Sequence, residues 1–143
     1  MWNMLGFRLS SFIRIIVVIS ILIGCVLIFT MSLANVNLSY TKENFIYYNM
    51  FTFDEIKNIP LISNDYIIYY DSPDGTPTMT NKIVFSNVNL NNKSELIKYV
   101  ENMGFEKYFD EYWRDEYWRK DNVLINIKQN DTKRTILFLV EKN

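Results

Sequence analysis

The chain has 143 residues, 49% of them apolar, a formal net charge of −1, one cysteine and no histidine. Without histidine there is no Ser-His-Asp or Cys-His catalysis and no imidazole ligand for a metal. The near-neutral balance gives no basic face for nucleic acid, and a lone cysteine allows no internal disulfide.

The apolar excess is concentrated near the start. Ile15 to Leu33 (IIVVISILIGCVLIFTMSL) runs 19 residues without a charge. As a helix it measures roughly 28 Å, close to a ~30 Å hydrocarbon core. Thirteen of those residues are Val, Ile, Leu or Phe, giving a crude insertion sum of roughly −4 to −8 kcal/mol. The run predicts a transmembrane signal-anchor over 15–34 that follows a cytoplasmic segment, 1–14. Arg8 and Arg14 lie before or at the edge of the run and no acidic residue precedes Glu43. The positive-inside rule therefore places the N-terminus in the cytoplasm and the rest of the chain outside, as a single-pass cell-membrane protein.

Two alternatives attach to the same segment. Ser32-Leu33-Ala34 has the small-x-small spacing of a signal-peptidase site. Leu22-Ile23-Gly24-Cys25 resembles the lipobox of bacterial lipoproteins, which implies lipidation of Cys25 in an exported lipoprotein. The apolar residues after Cys25 depart from the polar tether usual there, and Cys25 also reads as a small apolar residue of a membrane helix. Heavy use of Ile, Asn, Lys and Tyr, as in AT-rich genomes, suggests a bacterial source.

Asn35 to Asn44 is polar and non-periodic and predicts a short stalk before a domain spanning 45–143. The aromatic-rich stretch Phe45 to Phe53 predicts a first strand or an aromatic patch. Thr52 and Glu55 have capping-box spacing for a short helix that Pro60 ends. Tyr66 to Tyr70 and Lys82 to Asn87 predict a hairpin around the turn-rich Asp71 to Pro77. Asn92 and Glu95 predict a helix start, Leu96, Val100 and Met103 an apolar stripe, and Gly104 the stop. Val123 to Lys128 and Thr135 to Val140 predict two further strands, the last in the middle of the sheet because it is almost wholly apolar. The expected fold class is α+β. A transmembrane helix is followed by a small antiparallel sheet of about four strands, in β-β-α-β-β order, covered by one main helix.

The most unusual segment is Phe105 to Lys120. It contains a tandem pentad, Glu111-Tyr-Trp-Arg-Asp115 and Glu116-Tyr-Trp-Arg-Lys120. A five-residue period matches neither helix nor strand, so both copies cannot present one face of a regular element. Tyr, Trp and Arg are enriched at binding hot spots. Tyr112, Trp113, Arg114, Tyr117, Trp118 and Arg119 are therefore the candidate binding residues, while the bland reading makes them an amphipathic linker capping the sheet. The predicted function is non-enzymatic: a membrane-anchored extracytoplasmic binding module that presents this segment to a protein partner. The alternative is a glycan or cell-wall contact through stacked rings. Asp110, Glu111, Asp115 and Glu116 are carboxylates close enough in sequence to raise two-carboxylate chemistry, though such clusters usually decorate a solvated face. Asp71 and Asp74 are explained by turn chemistry, and Ser94 with Lys98 by an ordinary helix start. No catalytic residue, metal or cofactor is expected.

Overall fold

The computed structural model describes the backbone of residues 2–32, 36–72 and 78–143, and side chains over 13–28, 36–72 and 78–143. The chain divides into two compact units, Met1–Asn35 and Val36–Asn143.

The first unit contains one helix, α1 (Trp2–Ser32). Its described side chains are exposed around the helix, Ile13 at 53% and Leu22 at 59% among them. Among the described residues no helix is long and apolar enough to cross a membrane. The expected transmembrane span over 15–34 is thereby overturned. The single-pass arrangement and the cell-membrane location that rested on it fall with it. Cys25 is exposed on this helix. The signal-peptidase reading falls on Leu33 and Ala34, outside the described residues.

The second unit is built on a seven-stranded antiparallel sheet, not on the small four-stranded one expected. Its strands are β1 (Val36–Tyr40), β2 (Tyr66–Ser72), β3 (Met79–Phe85), β4 (Glu106–Asp110), β5 (Asp115–Lys120), β6 (Val123–Asn130) and β7 (Thr135–Lys142). They lie in the order β1-β2-β3-β7-β6-β5-β4. Three short helices accompany them: α2 (Phe45–Phe51), α3 (Asp54–Lys57) and α4 (Lys93–Asn102), the last preceded by a 3-10 turn at Leu90–Asn92.

The strands missed in the sequence have plain causes. Val36, Leu38 and Tyr40 alternate with Asn37 and Ser39, the period of a half-buried strand, so the supposed stalk forms β1 along β2. Phe105 to Lys120 is a hairpin, β4 paired with β5. Phe45–Phe51 is helical instead of extended, started by Asn44, whose side chain accepts from the Tyr47 amide.

The expected capping box is not made. Thr52 is buried and donates to Tyr40 Oη at 3.1 Å, and Phe53, the N-cap of α3, makes no side-chain cap bond. Asn92 likewise makes no cap bond; Asn89 accepts from the Asn91 amide just upstream. Gly104, at φ +81°, follows the last turn of α4, a left-handed position that favours glycine. The turn expected over Asp71 to Pro77 falls largely on 73–77, outside the described residues.

The sheet buries one face. On β7, Ile136, Phe138 and Val140 are fully buried, while Leu137 and Leu139 between them are only partly so. Ile56 from α3 and Leu96 and Val100 from α4 join the same core, and Tyr99 packs its ring 6.4 Å from that of Phe138. On the other face Tyr69, Lys82, Leu139, Asn126, Tyr117 and Tyr108 form one row across six strands.

Phe138→Ala should cost about 3–5 kcal/mol, read as a lower denaturant midpoint with an unchanged slope. A loss under about 1 kcal/mol would contradict a core centred on β7.

Candidate functional site

The tandem pentad is divided by a turn. Residues 111–114 connect β4 to β5, Asp110 and Asp115 being the last paired positions. Asp110 Oδ1 accepts from the amides of Tyr112 and Trp113, both at 2.9 Å. This is the aspartate turn in which a short carboxylate satisfies amides two and three residues on. Arg114 closes the loop at φ +53°.

The two copies therefore do different things. Tyr112 and Trp113 stand on the turn, 84% and 70% exposed, their rings 4.9 Å apart at 88°. Trp118 is 1% exposed. It lies opposite Ile125 and under Lys107, whose Nζ is 5.8 Å from its ring. Tyr117 and Arg119, its strand neighbours, point to the other face. Tyr117 is half-buried opposite Tyr108, and Arg119 lies 5.5 Å from the Tyr108 ring. Burial of the phenol, then the Asp115 charge, raise the Tyr117 pKa.

Of the six expected binding residues, Tyr112, Trp113 and Arg114 thus gather at the tip. Tyr117 and Arg119 share the open face of the sheet, and Trp118 is a core residue. Two exposed aromatics of β4, Tyr108 at 42% and Phe109 at 54%, adjoin them; Phe109 lies at the start of the expected aromatic/Arg segment near 109–119 and Tyr108 just outside it. Recognising 106–110 as a strand would have put them on opposite faces of an edge.

Three of the four clustered carboxylates are occupied, and Glu111 is exposed on the turn. Asp110 fixes the turn, Glu116 pairs with Lys107 at 2.8 Å, and Asp115 pairs with Lys128 at 2.6 Å. Burial opposes ionisation of Asp115, but hydrogen bonds from Lys128 and the Glu116 amide outweigh it and hold its pKa below 3.8. A general acid needs the opposite shift. Ser94 Oγ is spent on the Asn91 carbonyl at 2.9 Å, as expected of a helix start. Among the described residues no group of three or more metal-binding side chains assembles; Asp74 lies outside them.

No protein-family model matches the chain, and neither a curated protein nor a solved structure does. The class can be stated from geometry alone: an antiparallel seven-stranded sheet with helices packed on one face and an aromatic hairpin at one edge.

The two tryptophans should separate cleanly. Trp118→Ala is expected to destabilise the fold by about 3–5 kcal/mol, and Trp113→Ala by no more than about 0.5 kcal/mol. Thermal or urea unfolding of both variants checks this.

The Asp115–Lys128 pair predicts a pH dependence. A carboxyl whose pKa is lower folded than unfolded stabilises the fold above its unfolded value. That contribution is lost as pH falls through the folded value. Lys128, raised above 10.5 chiefly by its bond to Asp115, contributes below its unfolded value and loses that as pH rises through the folded one. Asp115→Asn should lower stability at neutral pH by about 0.2–1 kcal/mol, the solvent-screened range. Wild type and variant should converge as pH approaches about 2, measured by urea unfolding across the acid range.

Proposed function

We propose that this protein is a non-enzymatic binding module that engages a protein partner through the β4–β5 hairpin. The observation that carries this reading is the pair Tyr112 and Trp113, 84% and 70% exposed on a turn whose amides donate two hydrogen bonds to the Asp110 carboxylate. Large aromatics presented from ordered backbone bring contact area without the cost of ordering a loop on association. Arg114 beside them and Phe109 on the adjoining strand extend the surface with residue types suited to such contacts.

The ring geometry favours a protein over a glycan. Sugar stacking wants flat, accessible ring faces. Tyr112 and Trp113 meet at 88°, and Trp118, the second member of any paired platform, is buried.

The test is site-directed photocrosslinking in the native host. A photoreactive phenylalanine analogue replaces Tyr112 in one variant and Lys133, on the exposed β6–β7 turn, in another. A discrete crosslinked protein species is expected from position 112 and not from 133. Its yield should fall at least fivefold when Trp113→Ala is added, about 1 kcal/mol of lost contact energy. Equal labelling from both positions, or insensitivity to Trp113→Ala, would remove the hairpin from consideration.

A further inference from the structure

At the end of β4 and β5 opposite the Tyr112–Trp113 turn, the hairpin meets α3 and the last turn of α4 around a cavity of about 470 Å³. That volume falls within the roughly 300–1,000 Å³ of small-molecule sites. Tyr99, Met103, Phe105 and Val123 supply an apolar wall. Three carboxylates, Asp54, Glu55 and Asp121, line the cavity against a single ammonium, Lys120.

The disposition of these charges decides what the cavity fits. Lys120 is committed to the wall: its Nζ donates to the Met103 carbonyl at 2.7 Å and lies 5.8 Å from the Phe105 ring. Asp54, with its side chain 85% exposed, has only a loose partner in Lys57 at 3.7 Å. Glu55 is 15% exposed at its side chain, with Oε2 2.9 Å from Lys142 Nζ, yet that buried oxygen receives no aligned hydrogen bond. Asp121 has no ion pair among the described residues. Glu55 is thus neutralised by Lys142 and its Oε2 is sealed from the cavity, which leaves Asp121, and loosely held Asp54, as the carboxylates open to a further donor beside the apolar wall.

We propose that this cavity binds a small organic cation: a primary ammonium on a short apolar chain. The ammonium has three N–H donors and no acceptor, the complement of what the lining lacks. Asp121 offers carboxylate oxygens. Tyr99 donates its hydroxyl hydrogen to the Glu55 carbonyl at 2.9 Å, which leaves its oxygen free to accept. Burial, reinforced by the Glu55 charge, raises the Tyr99 pKa to about 12, so the phenol is neutral at physiological pH. The alkyl chain lies against Met103, Phe105 and Val123. A carboxylate of the same length meets the Asp121 charge, while the one ammonium of the lining, Lys120, is already held by the Met103 carbonyl.

The test uses the full-length chain with 13C-methyl-labelled methionine. The Met103 signal is assigned by Met103→Leu, a swap that conserves volume. Titrants are n-pentylamine, a capped Gly-Lys-Gly tripeptide and n-pentanoate. A saturable shift of the Met103 methyl is expected with an amine and not with pentanoate. Tighter binding of pentylamine identifies a free amine as the ligand; tighter binding of the tripeptide identifies a lysine side chain. Asp121→Asn should weaken the amine about tenfold, the scale of one charge-assisted contact. Asparagine suits the φ of +51° at this position, so the turn is kept. An equal response to pentanoate, no saturable response to either amine, or unchanged affinity in Asp121→Asn overturns the proposal.

Discussion

Everything on the second unit depends on the burial of β7. Its residues Ile136, Phe138 and Val140 are at 0% exposure in the middle strand of seven, and side chains alternate with period two. That alternation fixes which residues of each neighbouring strand face the core. Val140 lies opposite Ile125, and Ile125 opposite Trp118. Trp118 is therefore inward by register, Tyr117 and Arg119 are outward, and the connection to β4 falls at 111–114. A one-residue slip would carry Trp118 to solvent and pull Tyr117 and Arg119 into the core.

Two buried asparagines tie that arrangement together. Asn81 donates to the Tyr69 carbonyl at 2.8 Å and accepts from the Phe53 amide at 2.9 Å, which links the α2–α3 connection to the sheet. Asn126 donates to the Glu116 carbonyl at 2.8 Å, bridging β6 to the outer hairpin. In a low-dielectric interior such bonds are strong and their loss is expensive. They restrict the alternatives that a purely apolar sheet would tolerate.

The parts of the fold legible in the sequence are those where pattern and burial agree. The apolar runs near 66–70 and 135–140 coincide with β2 and β7, the alternation over 123–127 with β6, and the Leu96–Val100 stripe with α4. Legibility failed where composition was weighed above period. Val36 to Tyr40 has a clean strand alternation, but its polar surroundings give the composition of a stalk. Phe45–Phe51 is rich in strand-preferring aromatics, yet the Asn44 cap and packing of Tyr48 and Phe51 on the core make it helical. The apolar run from Ile15 reads as a membrane span by composition, whereas among the described residues no helix is long and apolar enough to cross a membrane. The pentad hid a hairpin because its two copies straddle a turn. Similar residues five apart then occupy a loop and a strand, and the tryptophans of two identical Tyr-Trp-Arg triplets receive opposite burial. Half of the candidate surface was therefore readable at the tip, but Trp118 was not separable from Trp113 without the register.

The inward lysine of β4 has a consequence for how the aromatic edge can be used. β4 ends the sheet, and exposed edges invite accretion of further strands and thence aggregation. Lys107 points to the buried side of that edge, above Trp118 and paired with Glu116 at 2.8 Å. A strand laid alongside would have to cover that ammonium and strip its water, an unfavourable exchange unless the newcomer brought its own compensating charge. The margin is thereby guarded against indiscriminate sheet extension, while the tip two residues past Asp110 stays open. The same hairpin can then remain sticky at its point and inert along its flank.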